Sequence, residues 1–444
     1  MDRAGVADSS GGRRPAVRPS VREMTVFSDG APTDQADGSP SAHRGVEPAT
    51  ACPVRKLTQP DDGPAPDLER VDGPVPRWRI RSFDLARTVL RHPEGTRQGG
   101  FNAQNFHGPD GPRIRPPILY LEGDPHHAQR RAAARFFAPR TVEGYRGWMQ
   151  EAADELAATV RSDAWTDVTR LSMQMAVRVA SRVIGIDSAT SPAMHRRLDA
   201  FFEPDPTGAS GPVLRVRAAW RNLAMLRFYL FDVRPSIRAR RRRRRDDLIS
   251  QLLDDGFSDV DILTECVTYA AAGMVTTREL ITVAVWHLLD DPALLARYRA
   301  ADRAGRVEVL DEVLRLEPVI GHLLRETTAP VTLDGPDGPV EVPAGAVVDI
   351  DVRAVNADPR AAGADGDRLC PARDLPRSVL PTLLSFGDGH HKCPGAPLAT
   401  AEAEVLVTAL FREDLFGAGP PRVRWNAVSA GYDLSGLRVR RGVR

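Results

Sequence analysis

The stretch Ser385-Phe-Gly-Asp-Gly-His-His-Lys-Cys-Pro-Gly-Ala-Pro-Leu-Ala399 decides how the rest of the chain is read. Gly387 and Gly389 permit a tight backbone that can lie close to a neighbour. Cys393 stands just ahead of a helical pattern, Ala396 to Phe411, with Leu398, Val405, Leu406 and Leu410 on one side. A helix N-terminus offers unpaired N–H groups and the positive end of a dipole, and both lower the pKa of a thiol. A thiolate held there can ligate a metal. Two other readings compete on the residues alone. A lone buried cysteine is commonly inert packing. His390, His391 and Cys393 together suggest zinc, but structural zinc needs four ligands at set spacings and no second Cys or His pair supplies them.

The 444 residues around this stretch are ordinary for a globular protein, with 42% hydrophobic and 27% charged. A net charge of +1 gives no overall field that would favour nucleic acid or an anionic membrane. The four cysteines, Cys52, Cys266, Cys370 and Cys393, are far apart, so no disulfide framework is expected and a reducing cytoplasm fits. No run of about 18 apolar residues calls for a membrane span, and the N-terminus has no apolar core of a signal peptide. Residues 1 to 60 are rich in Gly, Ser, Pro, Asp and Arg and are expected to be disordered, with Met24 an alternative start.

From Val75 onward the pattern is globular and mostly helical. Helices are expected at 82–91, 125–137, 141–184, 191–203, 213–245, 259–289, 306–316 and 396–411. A long loop occupies 96–118, strands alternate over 330–350, residues 351–392 are irregular, and a hairpin is expected near 428–441. No break separates domains, so a single domain is expected over 65–444. The run from Arg240 to Arg245 could bind nucleic acid or anionic lipid, but Asp246 and Asp247 follow it and a locally paired, solvated stretch is expected.

Phe386-x-x-Gly389-x-x-x-Cys393-x-Gly395 resembles the haem-binding signature of the cytochromes P450, with Gly387 and His391 also in place. The resemblance runs from about Val75 to the end. It implies a mainly α, single-domain fold with small β-sheets and haem b as cofactor. Cys393 would be the axial thiolate, which in that family pushes electron density toward O–O cleavage. Phe386 would pack beside the sulfur, Gly395 would complete the loop, and His391 would hydrogen-bond a haem propionate. Pro394 has no N–H, so a sulfur hydrogen bond from that position is absent. A lower reduction potential is expected from the charge left on sulfur.

Further matches follow from the resemblance. Glu312-x-x-Arg315 puts two side chains on one helix face, and with Arg373 it resembles the family's buried structural network. His126, Arg130 and Arg325 match the propionate-binding set, for which Arg forks are suited. Ala271-Ala-Gly-Met-Val-Thr-Thr277 matches the oxygen-binding segment. Its small residues, Ala272 and Gly273, leave room above iron, and Thr276, next to Thr277, would assist proton delivery. The acid expected before Thr276 is Val275, which puts the usual acid–alcohol relay in doubt; water, a substrate group or Glu279 are the substitutes. Phe101, Phe106, Ala272, Val319, Ile320 and Tyr432 occupy substrate-facing positions by resemblance.

The implied activity is NAD(P)H-driven monooxygenation of a small, secondary-metabolite-like substrate by a cytoplasmic monomer. Electrons would come through a ferredoxin and ferredoxin reductase. Lys392, Arg131 and Arg135 would favour an acidic ferredoxin. The rivals are oxidative coupling, desaturation or peroxide-driven chemistry, a non-catalytic haem-binding sensor, and the zinc reading. Neither nucleic acid nor membrane is an expected partner.

Overall fold

The computed structural model describes residues 53–442 apart from 59–64, 107–114, 188–193, 198–210 and a few shorter stretches. The expected disordered extension lies outside the described residues up to 52, and the helix expected at 191–203 falls almost wholly outside them. Cys52–Arg444 clusters as one compact unit, which reaches further back than the start at residue 65 expected from composition. The reason is a short strap, 53–58. Leu57 is buried, Leu369 N–H donates to Pro53 O at 2.8 Å, and Arg55 Nε donates to Leu316 O at 2.9 Å.

The architecture is mainly helical with small sheets. At its centre lies one long helical run. It starts at Asp259–Ala270, whose N-terminus carries a capping box between Ser258 and Asp261. It widens into a π turn at Ala271–Val275 and continues as Thr276–Asp290. Leu280 to Leu288 is buried on every side, the expected state of a helix that is hydrophobic all round. Helices Val168–Ile184 and Ala396–Leu410 pack against it. The expected helix at 141–184 is two helices, Pro139–Ala158 and Val168–Ile184. Asp167 caps the second by accepting from Thr169 N–H.

The strands are β1 (Leu68–Val71), β2 (Arg77–Ile80), β3 (Thr96–Gln98), β4 (Thr166–Asp167), β5 (His322–Thr327), β6 (Val331–Gly335), β7 (Gly338–Val342), β8 (Val347–Asp351), β9 (Leu415–Gly417), β10 (Arg422–Asn426), β11 (Gly431–Ser435) and β12 (Arg438–Arg441). The largest sheet has the order β1-β2-β8-β5-β3. It packs helix Phe83–Arg91 through a second apolar cluster that includes Trp78, Ile80, Phe83, Val348 and Ile350. The alternation over 330–350 appears as the β6–β7 hairpin followed by β8. The hairpin expected near 428–441 is not there. β11 pairs with β10, while β12 leaves for a different sheet with β4 and β9. Gly436, at φ 75°, makes the turn that separates them.

Candidate active site

The Cys393 loop is held by its own backbone and by two neighbours. Cys393 N–H donates to Phe386 O at 2.8 Å, closing the loop. Gly389 has φ 64°, and a Cβ there would lie 1.9 Å from Leu90 O, so helix Phe83–Arg91 fits only against glycine. Asp388 anchors the same contact through Arg91 at 2.8 Å and Arg87 at 3.3 Å. From below, Asn356 donates to Ser385 Oγ at 2.8 Å and accepts from Leu384 N–H at 2.9 Å. Cys393 opens onto a cavity of about 1350 Å³. Burial raises its pKa, and the amides of Gly395 and Ala396, Arg130 and Lys392 pull it back. The Gly395 and Ala396 amides act in the direction expected of a helix N-terminus, while burial works against them. Pro394 contributes no donor, yet two amides still face the sulfur.

Behind the loop, Glu312, Arg315 and Arg373 meet. Arg315 is fully buried and forks onto both oxygens of Glu312, at 2.7 and 2.8 Å. Its remaining donors reach Asn356 O, Gly366 O and Arg368 O, each at 2.7 Å. Arg373 binds Glu312 at 3.1 Å and Arg368 O at 2.8 Å. Cys370 N–H donates to Glu312 at 2.9 Å. Cys370 is also disulfide-bonded, which corrects the expectation of no disulfide. Sequence separation hid it: Cys370 lies beside the strap, where Val54 bridges Arg368.

His126, Arg130, Arg325 and His391 converge on the cavity. His126 is buried and stacks on His391 with ring centroids 4.1 Å apart. Burial, with His391 and Arg130 nearby, pushes it down to about 3. Arg130 donates to Lys392 O. Arg325 donates from Nε to Thr96 Oγ1 at 3.2 Å and sits 3.1 Å from Glu122. Glu122, a residue the sequence did not flag, also meets His391 at 3.0 Å. Burial raises its pKa, but His391, Arg325 and the Gln98 amide outweigh it and hold the carboxyl at about 2. His126 Nδ1 is buried without a hydrogen-bond partner, while Arg325 Nη2 is the atom that meets Glu122. An apolar cavity with a thiol in its wall, two arginines and an unpartnered buried His126 nitrogen fits a porphyrin carrying two carboxylates.

On the central helix, Ala272, Gly273, Val275, Thr276 and Thr277 line the same cavity. Thr276 Oγ1 donates to Ala272 O at 2.5 Å, so its lone pairs are left to accept. Glu279 does not replace the absent acid. It is fully buried, takes Arg278 on one oxygen and Leu434 N–H at 2.9 Å on the other, and faces away from the cavity lining. Burial pushes its carboxyl up to about 7.

Phe101, Phe106, Val319 and Ile320 line the cavity. Phe106 stacks on Tyr120 at 4.3 Å. Tyr432 is a correction: it is buried in the core and donates to Glu317 O at 2.9 Å. Its neighbour Asp433 faces the cavity instead, because successive residues of β11 point to opposite sides. Asp433, Arg278, Arg424 and Asn426 form a polar patch that sequence reading missed. The one available signal was Arg278-Glu279, a charge pair inside an otherwise apolar helical run.

The Arg run is locally paired. Arg240 is buried against Asp247 at 2.7 Å, Arg244 meets Asp254 at 2.7 Å, and Arg245 meets Asp187 at 3.0 Å. Among the described residues no helix is long and apolar enough to cross a membrane, and no group of three His, Cys, Asp or Glu side chains could hold a metal ion.

Comparison with known proteins agrees with this geometry. The family model described as Cytochrome P450 matches residues 307–414. Cyclomarin C epoxidase CymV of Salinispora arenicola is 32% identical over 64% of this chain and 70% of its own length. The chain therefore belongs to the cytochrome P450 family. Cytochrome P450 monooxygenase PikC of Streptomyces venezuelae is 29% identical over 86% of this chain and 89% of its own. Substrate-free CYP109E1 from Bacillus megaterium superposes with a TM-score of 0.72 at 20% identity, covering 85% of this chain and 96% of that one. The protein is a monooxygenase with haem b as cofactor, and NAD(P)H electrons reach it through redox partners.

Proposed function

We propose that the protein inserts one oxygen atom from O₂ into a small, secondary-metabolite-like substrate, with electrons from a ferredoxin and its reductase. Haem b supplies the oxygen activation; the chain's own residues position it and manage protons. Cys393 is the axial thiolate, with Phe386 and Gly395 beside it. His126, Arg130, Arg325 and His391 hold the two propionates. Glu312, Arg315 and Arg373 keep the Cys loop in shape and take no chemical step. Thr276 accepts a hydrogen bond at the oxygen site, with Gly273 giving room and Thr277 packing behind it. Phe101, Phe106, Ala272, Val319 and Ile320 contact the substrate. Lys392, Arg131 and Arg135 offer positive charge to an acidic ferredoxin. The haem domain spans the compact unit, the protein works as a monomer in the cytoplasm, and the paired Arg run takes no nucleic acid.

The observation that carries this reading is Cys393 in the wall of an apolar cavity that Arg130 and Arg325 also line and onto which His126, with a buried unpartnered nitrogen, converges. The curated relatives named above, an epoxidase and a monooxygenase, support the reaction class. The test is the absorption spectrum of the reduced, CO-bound protein. Wild type is expected to give the thiolate-type Soret band, and Cys393→Ser to lose it entirely; a Ser variant that keeps the band ends the proposal. Val275 favours a second reading, oxidative coupling, desaturation or peroxide-driven chemistry, because that position holds no acid. Product analysis with a ferredoxin system against peroxide alone separates the two.

A further inference from the structure

Two clusters of charged groups stand in the cavity wall. One surrounds Cys393 and includes His126, Arg130, Arg325 and His391. The other combines Arg278 of the central helix with Arg424, Asn426, Ser429 and Asp433 of β10, β11 and the turn between them. In this second set the acceptors are committed. Asp433 takes Arg424 at 2.8 Å and Asn426 at 3.2 Å. Glu279 takes Leu434 N–H at 2.9 Å on one oxygen and Arg278 Nε at 2.7 Å on the other. A donor is left over. Arg278 gives Nε and Nη2 to Glu279, its nearest contact with Asp433 is 3.7 Å, and its Nη1 makes no hydrogen bond among the described residues.

The charges lean the same way. Two guanidinium groups, Arg278 and Arg424, face Asp433 and Glu279, and burial leaves the Glu279 carboxyl only part-ionised near neutral pH. The Arg278 side chain is 19% exposed, so it is mostly enclosed with one end open to the cavity. A half-buried, partly satisfied guanidinium at the edge of an apolar chamber favours an anionic acceptor with planar geometry. We propose that Arg278 anchors a carboxylate of the substrate, whose remaining body is apolar. This rests on the haem-thiolate reading of the cavity and adds the substrate class to it. An amine on Asp433 is the opposite possibility, and the committed oxygens of Asp433 disfavour it.

The test uses ligands that bind iron whatever their tail. A chain-length series of ω-(imidazol-1-yl)alkanoic acids, their methyl esters and the matching amines is titrated into the haem-loaded protein, read by the Soret shift on azole ligation. At one chain length the acid is expected to bind about ten- to a hundredfold more tightly than its ester, the range of a hydrogen bond to a charged group. Arg278→Gln is expected to bring that ratio to about one, and Arg278→Lys to keep part of it, both with an unchanged reduced CO spectrum. Equal affinity of acid and ester at every length, tighter binding of the amine, or a ratio that survives Arg278→Gln overturns the proposal. A protein on which no azole shifts the Soret band fails the haem reading itself, a distinguishable result that takes this proposal with it.

Discussion

On the Cys393 side of the cavity, Arg315 meets a main-chain carbonyl or Glu312 with every donor nitrogen. On the central-helix side, Arg278 is only half-buried and keeps Nη1 without a hydrogen bond among the described residues. The difference separates two uses of an enclosed or part-enclosed cation. A guanidinium whose donors are all matched inside the fold can only hold structure. One that lacks a final acceptor has affinity to spare for something that enters. The same contrast marks His126, which keeps an unpartnered nitrogen and lines the cavity that fits a dicarboxylate cofactor.

The comparison breaks most sharply at Glu312. Glu312→Ala strands Arg315, which has no exposed surface, and leaves its charge uncompensated. A destabilisation of about 3–5 kcal/mol is expected, measured as a shift in the urea midpoint with little change in slope. Haem is expected to dissociate at lower denaturant than in wild type. Arg278→Gln, on the central-helix side, is expected to move the midpoint far less and to alter ligand affinity instead. A Glu312→Ala protein as stable as wild type would show that full pairing of Arg315 does not hold the Cys loop.

A smaller effect sharpens the central-helix side. Thr276 spends its hydroxyl proton on Ala272 O, and Val275 offers no proton at all. Positioned proton transfer typically contributes about a hundredfold or more, so a relay lacking its acid should leak reducing equivalents as peroxide. Val275→Asp is expected to lower the fraction of NAD(P)H electrons released as peroxide, and Thr276→Val to raise it, in a system with ferredoxin and reductase. If Thr276→Val leaves that fraction unchanged, the hydroxyl takes no part in the relay.

The two sides also differed in how far they could be read from sequence. The Cys loop, Glu312-x-x-Arg315 and the His126–Arg130 pair are legible because each is a chemical type at a fixed local spacing. Such features survive ignorance of the tertiary fold. The substrate wall is assembled from β10, β11 and the helix, and its membership depends on strand parity. Reading Tyr432 for Asp433 is an error of one residue, and one residue reverses the face. The hairpin expected near 428–441 fails for a related reason: β12 finds its partners at β4 and β9, far away in the chain. Glu122 and the disulfide at Cys370 escape for want of any local signal. Both depend on segments brought together by folding, Glu122 with Arg325 and His391, and Cys370 with the strap that bridges Arg368.

The smallest effect concerns the carboxyl that supports Arg278. Burial raises Glu279 from an ordinary 4.5 to about 7, against the pull of Arg278 and the Leu434 amide. Between those two values the folded protein holds a proton that the unfolded chain has released, so this group lowers stability as pH rises across the window. Below about 4.5 both states are protonated, and above about 7 both are ionised, so the contribution is level at each end. Glu279→Gln removes the titration and keeps an acceptor for Leu434. Glu265, also raised to about 7 by burial, titrates in both proteins and cancels in the difference. The variant's melting temperature, minus that of wild type, is therefore expected to climb from pH 5 to 7 and then flatten. A flat difference throughout would mean that Glu279 stays ionised over the whole range. Arg278 would then be fully neutralised from behind and would have little charge left to offer the cavity.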